Sequence, residues 1–111
     1  PRLSASVREL LLHPQSTVWV SAVSWWEIGI KVSLGRLPEA VPLQALMQDS
    51  LEAGFLSLPI RPAHVLQLSH LPFPENGHRD PFDRMLIAQA LSENLTLLSS
   101  DSKFDAYPVR R

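Results

Sequence analysis

Three carboxylates are placed where they can do chemistry: Glu27, Asp83 and Asp101. The most informative of them lies in His78-Arg79-Asp80-Pro81-Phe82-Asp83-Arg84-Met85-Leu86-Ile87-Ala88-Gln89-Ala90-Leu91. This stretch reads as a polar loop that turns directly into a helix. Asp80 suits the N-cap, and Pro81 then falls at the first helical position, where its missing N–H costs nothing. Phe82, Leu86, Ile87, Ala90 and Leu91 recur at helical spacing and form an apolar face. Asp83 sits in the first turn, where no apolar contact asks for it. A carboxylate there is favoured by the helix N-terminus, and it is also a natural ligand for a divalent cation.

The other two acids occupy equivalent places. Glu27 falls in the second turn of a helix that follows a strand at 17–20, and Asp101 follows a strand at 95–99 almost at once. In open parallel sheets, ligands bind beyond the carboxyl ends of the strands. Carboxylates gathered there from separate elements suit a hard cation such as Mg²⁺. Such a cation polarises a phosphodiester and activates water for in-line attack. Arg79 and Arg84 flank Asp83 and are possible contacts for phosphate oxygens.

Each residue also has a purely structural explanation. Ser24-Trp25-Trp26-Glu27 fits a capping box, and Glu27 can pair with Lys31 one turn on. Asp80 is better explained as a cap than as a ligand, so it is a secondary candidate. Asp83 can simply complement the helix dipole, and Asp101 can cap a short helix after it. The arginines can be solvated surface charges. His13, His64, His70 and His78 lack metal-ligand spacing and suit surfaces or helix ends. Trp19, Trp25 and Trp26 can stack on bases but more often serve cores or interfaces.

Composition limits the alternatives. The 111 residues are enough for one domain, 1–111, and 45% are hydrophobic, which supports a core. There is no Cys, so disulfides and thiolate metal sites are excluded. A net charge of −1 gives no overall basic field. There is no membrane-length apolar run, Gly-rich phosphate loop, nucleophile elbow or zinc signature. The expectation is a soluble, cytoplasmic domain.

The elements that must position the acids alternate. Helical spacing at Leu3, Val7, Leu10 and Leu11 ends at His13-Pro14. Thr17 to Val20 reads as a buried strand, and Ser21 caps a helix over 22–34 that Gly35 ends. A helix over 43–53 ends at Gly54, a strand follows at 55–58, and Pro62 starts another helix. The helix after Asp80 runs to about Glu93-Asn94. A strand at 95–99, a short helix from Asp101 and an edge strand near 107–109 complete the order. Alternation of this kind predicts an α/β fold with a mostly parallel sheet.

Ser21-Ala22-Val23-Ser24-Trp25-Trp26-Glu27-Ile28-Gly29-Ile30-Lys31 with Leu34-Gly35-Arg36-Leu37 resembles the second sequence block of PIN-domain ribonucleases, the VapC-type toxins of toxin–antitoxin pairs. His78 to Leu91 resembles their third block and Leu95 to Asp101 their fourth, in the family's order. The resemblance implies a three-layer α/β/α PIN-like fold and Mg²⁺- or Mn²⁺-dependent endonuclease cleavage of RNA. It implies that Glu27, Asp83 and Asp101 are catalytic metal ligands, with Asp80 as an additional acid near them. It also implies a homodimer and a cognate antitoxin protein that blocks the site. The family opens with a central strand ending in a first Asp, and nothing in Pro1 to Leu12 resembles it. The expectation is therefore a sheet whose central first strand is missing from this chain, which would be incomplete as a catalyst. The rival from another class is a catalytically inactive PIN-like binding or interaction module, in which the acids only cap helices.

Overall fold

The computed structural model describes residues 17–36, 42–74 and 80–97. They group into two compact units, one formed by Thr17–Pro59 and the other by the chain from Ile60 onward. The expected first helix, the segment from Asp101 and the edge near 107–109 lie outside the described residues.

In the first unit, strand β1 (Trp19–Ser21) runs parallel to β2 (Leu56–Leu58), with Trp19 opposite Leu56, Val20 opposite Ser57 and Ser21 opposite Leu58. Parallel strands need a long crossover, and helices α1 (Ala22–Ser33) and α2 (Leu43–Glu52) supply it. No residue separates β1 from α1. Ser21 ends the strand, and its hydroxyl accepts the Val23 N–H at 3.0 Å as the helix N-cap. The buried core of this unit is Val23 and Leu58. The strand is less enclosed than its composition suggests, because Trp19 is 39% exposed.

Both helices end in the same device. After α1, Gly35 takes φ +68° and donates to Val32 O at 3.0 Å, while Arg36 N–H reaches Lys31 O at 2.9 Å. After α2, Gly54 takes φ +85°, with Gly54 N–H on Leu51 O and Phe55 N–H on Ser50 O. These are Schellman closures, which place a left-handed residue just past the helix.

The second unit pairs α3 (Pro62–Ser69) with α4 (Pro81–Glu93). Leu71 and Ile87 are buried between them, with Leu68, Leu91 and Leu97 packed around. Helix α4 is more deeply enclosed than one apolar stripe requires: Ile87, Ala88, Gln89 and Ala90 are all buried. Asn94 takes the left-handed conformation and Leu95 N–H closes onto Ala90 O at 2.8 Å. The expected strand at 95–99 is not seen in its described part, since 95–97 carry neither helix nor strand. There Leu97 packs on the helical core instead. No helix among the described residues is long and apolar enough to cross a membrane.

Two glycines should respond to alanine with opposite signs. A Cβ at Gly54 meets no atom within 4 Å, but its φ of +85° is one that alanine adopts only with strain. Gly54→Ala should destabilise by about 1–2 kcal/mol. Gly29 lies inside α1, and a Cβ there meets only Leu43 Cδ2 at 3.9 Å, an ordinary contact. Gly29→Ala should stabilise by about 0.5–1 kcal/mol. Urea unfolding midpoints of the two variants check both signs.

Candidate functional site

The start of α4 is built as its sequence predicts. Asp80 is the N-cap, and its Oδ1 accepts the Asp83 N–H at 2.9 Å. Pro81 fills the first helical position. Asp83 is therefore the third helical residue, half-buried, in the only acidic position of the first turn. Its carboxylate gains from the positive end of the helix.

Glu27 sits in the second turn of α1 and is half-buried. The capping box at Ser24 does not form. The helix begins three residues earlier, at Ser21, so Ser24 is already inside it. Nor does Glu27 pair with Lys31: among the described residues it has neither a hydrogen bond nor an ion pair. Both structural explanations for this acid are thereby removed.

Arg84 is placed quite differently from a surface phosphate ligand. Its side chain is buried, with the residue only 6% exposed. One guanidinium nitrogen donates to Pro72 O at 3.0 Å and the other to Leu71 O at 2.9 Å. The guanidinium also lies 4.0 Å from the centroid of the Phe73 ring. These contacts give Arg84 a structural task, that of tying the loop after α3 to the first turn of α4. Asp101 and Arg79 lie outside the described residues. The structure thus brings Asp80, Asp83 and Arg84 together in one helical turn and places Glu27 in the other unit.

Sequence reasoning missed a second polar cluster. His64 is fully buried at the third position of α3, and its Nδ1 accepts the Arg61 N–H at 3.0 Å. Gln89 Nε2 approaches the same nitrogen at 3.3 Å. A neutral imidazole that accepts at Nδ1 carries its proton on Nε2. That atom has no hydrogen-bond partner, and the nearest carboxylate oxygen, Glu93 Oε1, is 3.7 Å away. Glu93 is held by Arg61 at 2.6 Å. Pro62 at the helix start was the visible signal for the cap. A glutamine among alanines at Gln89 was the signal for a buried partner. His70 closes the other end of α3, with Nδ1 3.0 Å from Leu66 O.

The PIN domain family matches residues 2–109, almost the whole chain. The chain belongs to the PIN domain family. PIN domains are generally nucleases and usually employ divalent metal ions. No curated protein and no solved structure matches the chain. Among the described residues of this PIN domain no three acids or histidines gather into a metal site. The donors it does present, carboxylate oxygens without thiolate or imidazole, are those a hard cation takes.

The cap geometry separates two roles for Asp80. Asn caps as well as Asp, so Asp80→Asn should change stability by less than about 0.5 kcal/mol. Asp80→Ala leaves the Asp83 N–H without its acceptor and should cost about 1 kcal/mol. Thermal unfolding of the two variants distinguishes them.

Proposed function

We propose that this PIN domain is a metal-dependent endoribonuclease, the toxin of a toxin–antitoxin pair of the VapC type. Glu27, Asp83 and Asp101 would hold Mg²⁺ or Mn²⁺, which supplies Lewis-acid charge for hydrolysis of an RNA phosphodiester. The observation that carries this reading is Glu27. A half-buried carboxylate that neither caps a helix nor meets a cation pays a desolvation cost with no structural return. Such a group suits a ligand that arrives from outside the chain.

The chain's own contribution is positioning. Ser21 fixes the start of α1 and hence the direction in which the second turn presents Glu27. Asp80 fixes the first turn of α4 and so the rotamer space open to Asp83. Ligands held on capped helix starts lose less entropy on binding a cation than ligands on open loops. The same reading places the protein in the cytoplasm, with an antitoxin protein as partner and a second copy of itself as dimer mate. Trp26, 58% exposed on α1, supports the dimer, because large aromatics are enriched in interfaces.

Glu27→Gln and Asp83→Asn should each abolish Mn²⁺-dependent cleavage of single-stranded RNA. The loss should exceed the roughly 10–100-fold that even outer partners of a metal site cost. Glu27→Gln removes no bond, so its stability should stay within about 0.5 kcal/mol of the parent. Calorimetric titration with Mn²⁺ should show binding to the parent and not to these variants. Retained cleavage in either variant removes that residue from the site. Metal indifference of the parent favours the inactive interaction module.

Light scattering at micromolar concentration should report a dimer, and Trp26→Ala should shift it toward monomer. A parent that scatters as a monomer refutes the dimer.

A further inference from the structure

An open cavity of about 420 Å³ lies between the end of α3 and the start of α4. Its lining is Leu68, Ser69, Leu71, Phe73, Pro81 and Arg84, all within the unit from Ile60 onward. We infer that this cavity receives a nucleobase of single-stranded RNA, stacked on the exposed part of the Phe73 ring. The inference rests on the ribonuclease reading above and adds a substrate subsite to it.

Four observations carry it. Phe73 is 57% exposed, an unusual cost for a large aromatic in a small unit. Its ring is nevertheless fixed, because the Arg84 guanidinium lies 4.0 Å from the centroid and is itself bonded to Leu71 O and Pro72 O. A rigid exposed ring loses little entropy when a second ring stacks on it. The volume falls in the range of roughly 300–1,000 Å³ typical of small-ligand sites and is ample for one base.

Charge and position then choose the occupant. The lining contains one cation and no carboxylate, so the cavity suits a segment of a polyanion better than an acidic peptide. The guanidinium beneath the ring adds the cation–π arrangement found in single-strand binding platforms. Few polar groups face the cavity, so recognition would come from stacking and would tolerate any base. Pro81, on the cavity wall, precedes Asp83 by two residues in the same helical turn. A base seated here would hold its strand beside that carboxylate.

The test is equilibrium binding of a short single-stranded RNA to the full chain in EDTA, which separates binding from cleavage. One nucleotide of the RNA carries 2-aminopurine, whose fluorescence falls on stacking. Phe73→Ala and Phe73→Leu should each weaken binding roughly 10- to 100-fold and abolish the quench. Phe73→Trp should keep both. An RNA with an abasic site in place of the reporter should bind the parent and Phe73→Ala equally well. If the parent binds RNA and Phe73→Ala or Phe73→Leu binds as tightly, the stacking subsite is refuted and the nuclease reading stands. If the parent binds no RNA, both fall.

Discussion

A buried guanidinium organises the unit that carries Asp83. Removing Arg84 from water costs several kcal/mol, and that cost must be met locally. Two charge-assisted hydrogen bonds to Leu71 and Pro72 carbonyls, each worth about 1.5–3 kcal/mol, offset it together with the Phe73 ring. The carbonyls gain as much as the arginine does. They follow α3, in a proline-containing loop with no ladder of its own, and would otherwise be buried without donors. The arginine thus joins the end of one helix to the beginning of the next through main-chain atoms. Leu71 is then held in the core beside Ile87. The first turn of α4, with its cap and its acid, inherits that rigidity.

Local signals in the sequence carried most of the fold. Ser21, Gly35, Gly54, Pro62 and the pair Asp80-Pro81 each fix a helix end by chemistry within a few residues. Such ends can be read without tertiary knowledge. What failed was of two kinds. Ser24 competed with Ser21 as a cap, and the nearer strand end decided it, because the helix starts where the ladder stops. Leu95-Thr96-Leu97 has a strand's composition, yet its described residues pack on helices. A short apolar run does not say which surface it will cover.

The candidate site was legible in the same uneven way. Asp80 and Asp83 were readable because their roles follow from position in one turn. Glu27 was ambiguous in sequence, since both a capping box and a pair with Lys31 fit its spacing. Neither forms, and that outcome depends on where the helix begins. Arg84 beside Asp83 looked like a phosphate ligand, because sequence neighbours say nothing of burial. The His64–Gln89 contact joins residues on two helices, a relation that no local pattern encodes.

Ser21 has one further consequence. It belongs at once to the strand and to the helix, so the junction has no slack. Each residue advances a helix by about 100° around its axis. Adding or deleting one residue between Val20 and Ala22 would therefore carry Glu27 about a quarter-turn or more around α1, while the strand kept its register. Point substitutions there can be absorbed, but changes in length cannot. The junction acts as an angular gauge, setting by residue count alone the bearing on which the carboxylate leaves the helix.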